Sequence, residues 1–147
     1  VDHESIVYGC IKDLPFGDDR EMMVRRKHNL RAIKSLPGMD DWPFLSREMF
    51  AATAGLPTEV STYQTQVIHF GASYRAIEYE WEQWIAKFEQ LLQSMYWVSV
   101  AVHLETELSG THTFTWDSDT SFHQPGSGDI RVRCEWQHEG SLGGSRF

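Results

Sequence analysis

The chain has no stretch of about eighteen consecutive apolar residues, which a membrane-spanning helix needs. It also lacks a basic segment leading into an apolar one of the kind that directs secretion. These absences predict a soluble, cytoplasmic protein with no membrane contact; the chain opens VDHES without Met, so a removed signal peptide stays open. Cysteine is scarce. Cys10 and Cys134 stand far apart with no CxxC spacing, which argues against a disulfide framework or a zinc site and predicts buried thiols. Positive charge is the minority sign, with 13 Lys and Arg against 21 Asp and Glu. The net charge is −8, and nearly all of the excess falls in residues 51–147, which carry five basic residues against twelve acidic ones. Nucleic acid needs a basic stripe, and the one candidate, Arg25, Arg26, Lys27, Arg31 and Lys34, is balanced by nearby acids. A basic protein partner suits such a chain better, since opposite charge steers the encounter.

Catalytic signatures are missing too. There is no GxSxG elbow, and the seven histidines show no HExxH spacing. Gly126-Ser127-Gly128 lacks the Lys-Ser/Thr of a phosphate loop. Asp117-Ser118-Asp119 begins like a calcium loop, but Phe122 stands where Gly is needed and Gly128 where a bidentate Glu should be. These features call for no cofactor and lean against an enzyme without deciding the question.

What is present is a domain-sized chain of 147 residues, 41% hydrophobic and 13% aromatic, sufficient for one substantial core. The reading is a single domain over 1–138, with a flexible tail over 139–147 rich in Gly and Ser. Within it, SYRAIEYEWEQWIAKFEQLLQSM predicts a helix from Ser73, as N-cap, to Met95. Tyr74, Ile77, Trp81, Trp84, Ile85, Phe88, Leu91, Leu92 and Met95 share one face of it. Glu78, Glu82 and Glu89 lie together beside that arc, an acidic ridge that reads as a solvated face or as a docking site.

Alternation predicts strands over HESIVYGCIKDL, Glu48–Ala52, YQTQVIHFGAS, the run from Tyr96 to Leu104, THTFTW and IRVRCEWQH. The run from Tyr96 should lie at or beside the middle of the sheet. A helix capped by Asp18 or Asp19 is firm only over Asn29–Leu36, because Arg26 intrudes into the Met22, Leu30 and Ile33 stripe. The order strand, helix, strand, strand, helix, strand predicts an α+β fold, a ferredoxin-like split βαβ sandwich. It has an antiparallel sheet, two helices on one face and an added C-terminal hairpin.

Ser109-Gly110 as a two-residue turn would place Glu107 opposite His112. His103, Glu105, Glu107, His112, Phe114 and Trp116 would then share the uncovered sheet face. That gives an alternative reading, a small metal- or ligand-binding enzyme using His103, Glu105, Glu107 and His112. The run QVIHFGASYRAIEYEWEQWIAKFEQLLQSMYWVSVAVHLETELSGTHTFTW, with SLP and DDWPFLSREMF before it, resembles small acidic bacterial proteins over residues 3–116. Some of these are immunity proteins, cognate antidotes of polymorphic or type VI secreted toxins. The resemblance implies a non-enzymatic protein that binds a toxin domain, and it carries no residue roles. For such a role the contact groups would be Glu78, Glu82 and Glu89, or Glu105, Glu107, Phe114 and Trp116, with a homodimer through exposed sheets as a further option.

Overall fold

The first strand, β1 (Glu4–Lys12), is built on alternation: Ser5, Val7 and Ile11 are buried, while Ile6 and Tyr8 on the other face stay 40% and 39% exposed. It is first in the chain and central in the sheet. On one side it pairs with β3 (Val67–Arg75) and on the other with β4 (Ser99–Thr106). The short β2 (Phe50–Ala52) flanks β3, and β5 (Gly110–Ser118) and β6 (Ile130–Gln137) continue beyond β4. The order is β2-β3-β1-β4-β5-β6, and every pairing is antiparallel. This is the expected α+β class with an antiparallel sheet, and β4 lies beside its middle. The computed structural model describes residues 4–13, 17–38, 44–52, 67–118, 122–127 and 130–137. The expected tail at 139–147 and the start of the YQTQVIHFGAS strand, 63–66, lie outside them. No helix among the described residues is long and apolar enough to cross a membrane.

Helix α1 (Asp19–Lys34) is longer than its apolar pattern predicts. Asp18 caps it, accepting from the Glu21 N–H at 2.8 Å. Its inward residues Arg25, Asn29 and Ile33 recur every fourth position, and two of the three are polar. Arg25 reaches Asp13 at the end of β1, 3.4 Å away with both side chains under a tenth exposed. Asn29 donates to the Tyr96 carbonyl at 2.9 Å and accepts from the Tyr96 N–H at 2.8 Å. The helix thus docks through the charge of Arg25 and the hydrogen bonds of Asn29 as well as through Ile33, and an apolar stripe cannot reveal the first two.

The predicted helix from Ser73 begins too early. Ser73, Tyr74 and Arg75 continue β3, paired with Ile6, Ser5 and Glu4. Ala76 then turns at φ 51°, Ile77–Glu80 form one 3-10 turn, and only Trp81–Gln93 are α-helix, α2. Ser73 is no N-cap; its hydroxyl donates to Glu4 Oε2 at 3.0 Å. Tyr74 still joins the apolar face by a different route, since its hydroxyl donates to the Phe44 carbonyl and accepts from Trp84 Nε1. The strand Glu48–Ala52 is likewise shortened, a 3-10 turn taking Arg47–Met49.

Ile33 of α1 and Trp84, Phe88, Leu91 and Leu92 of α2 belong to one core cluster with Val7, Ile11, Ile68, Phe70, Val100, Val102, Leu104 and Trp116. Trp84 stacks on Phe88 with ring centroids 5.0 Å apart, and Phe88 meets both Phe70 and Trp116 at 5.2 Å. Each fully buried aromatic contributes about 1.5–3 kcal/mol by area, and each such pair about 0.5–1.5 kcal/mol more. The segment after β5 returns to this core: His123 bridges to Trp97, stacks on it at 4.8 Å and is fully buried. Of the two thiols expected to be buried, Cys10 is half-buried and Cys134 is exposed, each on a sheet strand and each free.

Candidate functional site

The hairpin between β4 and β5 decides which residues can act together. Thr106 pairs with Gly110, so the turn is Glu107-Leu108-Ser109, three residues and not two. Gly110, at φ 86°, supplies the positive φ that closes it. The added residue changes register by an odd step, which turns every β5 side chain to the other face. His103 now opposes Thr113 and Glu105 opposes Thr111, while His112 lies opposite Leu104. His112, Phe114 and Trp116 therefore share the face of Leu104, Val102 and Val100, the core side. The expected grouping of His103, Glu105, Glu107 and His112 on the uncovered face is overturned. So is the expected contact surface of Glu105, Glu107, Phe114 and Trp116. Trp116 is fully buried, and Phe114 packs against Trp81 with ring centroids 5.2 Å apart. Among the described residues no group of three or more His, Cys, Asp or Glu side chains is placed to hold a metal ion.

The predicted glutamate ridge also separates. Glu89 accepts from the Trp116 indole N–H at 2.8 Å and so serves the core. Glu82 is exposed in the first turn of α2. Glu78 lies in the 3-10 turn, one oxygen accepting from the Ser5 hydroxyl at 2.6 Å and the other buried with no hydrogen-bond partner among the described residues.

What the fold assembles instead is an acidic end of the sheet, where β1 begins and β3 and β4 finish. Four carboxylates hang on the first residues of β1. Glu4 contributes its own, Glu107 accepts from the Glu4 N–H at 2.9 Å, and Glu78 holds Ser5. Glu105, opposite Ile6, accepts the hydroxyl hydrogen bond of Tyr8. That bond, helped by burial and by the carboxylate's charge, pushes Tyr8 up to about 12. Tyr8 lies 5.0 Å from the His103 ring, and His103 Nδ1 contacts Thr113 Oγ1 at 3.0 Å. Among the described residues of these strand ends and turns, Arg75 is the Lys or Arg present.

Apolar surface is interleaved with the charge. Leu108 at the hairpin tip is 54% exposed, and Tyr79, between Glu78 and Glu80, is 70% exposed. On the core side, Ser109 Oγ contacts Thr106 Oγ1 at 2.7 Å and His112 Nε2 at 3.0 Å. Trp136 donates to the Ser109 carbonyl, which fixes the hairpin. Burial holds His112 below its usual value against the opposing pull of Glu78. By contrast, a depression of about 400 Å³ between the end of α1 and α2, lined by residues such as Leu36, Lys87 and Gln90, has no carboxylate, imidazole or thiol in its wall among the described residues.

Protein-family models, curated proteins and solved structures give no match to the chain. The residues themselves carry the functional argument. Glu4, Ser5 and Tyr8 escape a sequence reading because only the pairing of β1 with β3 and β4 shows that they anchor Glu78, Glu105 and Glu107. The strand that carries Tyr8 was legible from alternation; the partners of Tyr8 were not.

Proposed function

We propose that the protein is a non-enzymatic binding protein of the immunity kind, which neutralises a basic protein partner such as a toxin domain by covering it. The observation that carries this reading is the convergence of Glu4, Glu78, Glu105 and Glu107 at one end of the sheet, with Leu108, Tyr79 and Ile6 exposed among them. Acids held in place steer a basic partner at no further ordering cost, and the apolar and aromatic groups supply contact energy once water is expelled. Glu80 and Glu82 extend the charge along the chain. A ferredoxin-like fold with both helices on one face belongs to the same proposal. The strand order β2-β3-β1-β4 with a helix before β2 and another before β4 supports it, and β5 and β6 form the added hairpin.

The test is co-expression with the toxic product of the neighbouring gene, scoring survival and measuring association of the purified pair. Reversal of Glu4, Glu80, Glu82 and Glu107 to Lys is expected to abolish protection and to slow association by tenfold or more at low salt. Unchanged circular dichroism and melting would show that the fold survived. Undiminished protection by that variant would sink the reading.

A further inference from the structure

Strand β6 ends the sheet, and among the described residues no strand pairs with its outer edge. Its side chains split by face. Val132, Cys134 and Trp136 oppose Trp116, Phe114 and His112 on the core side, whereas Arg131, Arg133 and Glu135 lie on the other. Helix α2 covers Trp116 through Phe88 and Glu89, whereas this last strand stays open: Val132 is 46% exposed, Trp136 is 54% exposed and Cys134 is exposed as well. An uncovered edge with an apolar stripe is a template for adding a strand, and its charges restrict what can be added.

The sequence Val132-Arg133-Cys134-Glu135-Trp136 is complementary to itself when reversed. Antiparallel pairing about a two-fold at Cys134 sets Arg133 against Glu135 of the other copy twice, and Val132 against Trp136 twice. Other registers that keep apolar residues on one face are worse. Centring on Arg133 opposes two arginines, centring on Glu135 opposes two glutamates, and centring on Val132 sets Arg131 against Arg133. Cross-strand pairs of opposite charge stabilise and like pairs destabilise, so the charges select one register out of these.

We propose that β6 pairs with β6 of a second copy about a two-fold axis at Cys134, joining the two sheets edge to edge. The Arg133–Asp117 pair within one chain, 3.0 Å and exposed on both sides, is compatible with this because a guanidinium can bond two carboxylates. The acidic end is left open by the pairing, so the dimer stands or falls independently of the proposed function.

Sedimentation of the full chain under reducing conditions is expected to show a concentration-dependent dimer. R133E and E135R should each weaken it by about tenfold, because each opposes like charges twice. The combined R133E/E135R chain restores opposite pairs and should recover the dimer, which a merely destabilising change would not do. Opposed residues of an antiparallel pair lie about 4.5–5.5 Å apart at Cα, within the span of a disulfide. In a Cys10→Ser background an added oxidant, itself reduced, should therefore take two electrons and two protons from the two Cys134 thiols and link the copies. A monomer at every concentration, single reversals without effect, a double variant without recovery, or a dimer that Cys134 fails to link would each overturn the proposal.

Discussion

Ala76 holds the one positive φ among the described non-glycine residues, 51°, between the end of β3 and the 3-10 turn before α2. That conformation costs an L-residue about 1–2 kcal/mol, and Gly would remove most of the cost while losing more chain entropy on folding. Ala76→Gly is therefore expected to stabilise by about 0.5–1 kcal/mol in urea unfolding. Gly9 presents the reverse case. A Cβ there would lie 2.1 Å from the Ala101 carbonyl oxygen and 2.8 Å from the Phe70 ring, so Gly9→Ala must spread β1 from β4 and should cost about 3 kcal/mol or more. Two titrations follow from local partners. Tyr8 is raised from 10.0 to about 12, so the folded state holds its proton more tightly than the unfolded one. Its stabilisation is complete below pH 10 and is lost as pH climbs from 10 to about 12, a loss that Tyr8→Phe should remove from the alkaline stability profile. His112 is lowered from 6.5, so its contribution is present above that pH and is lost on acidification, when the unfolded chain takes up the proton first. Proton resonances of the ring should titrate below 6.5.

Among elements, α1 depends on a polar contact more than its neighbours do. Asn29 is fully buried and satisfies both backbone groups of Tyr96, so Asn29→Ala would strand a carbonyl and an N–H at a cost of about 2–4 kcal/mol, readable by denaturant unfolding. The docking of Arg25 on Asp13 explains why Asn29–Leu36 was legible as helix and the turns before it were not: the Met22, Leu30 and Ile33 pattern registers apolar burial only, and Arg25 is turned inward by charge. β1 and the middle of β4 were legible because a strict period of two coincided with a sheet buried on one face. The start of α2 was not, because Tyr74 and Ile77 fit a helical wheel while pairing and a 3-10 turn actually bring them to the core. At the hairpin a single extra turn residue moved His112, Phe114 and Trp116 to the core face, and no local propensity distinguishes a two-residue loop that ends in Gly110 from a three-residue loop that Gly110 follows. The acidic residues could be read as a surplus; their gathering on β1 needed the strand order.

At the scale of the whole molecule, the net charge of −8 is distributed unequally, and the described strand ends concentrate part of it beside exposed apolar groups. If this end steers a partner, raising ionic strength should slow association steeply while leaving dissociation nearly unchanged, a division that stopped-flow mixing resolves. Leu108→Ala should do the opposite and speed dissociation with little effect on the encounter. The position of β1 has a kinetic consequence as well. The first strand made is the one that ends up in the middle, and its two neighbours begin at Val67 and Ser99. A nascent chain therefore carries Val7 and Ile11 with neither flank covered until β3 and β4 have left the ribosome. Closing such long loops is slow, so the sheet should form only after β4 has emerged and on the slow side for its size, and a truncation ending before β4 should aggregate.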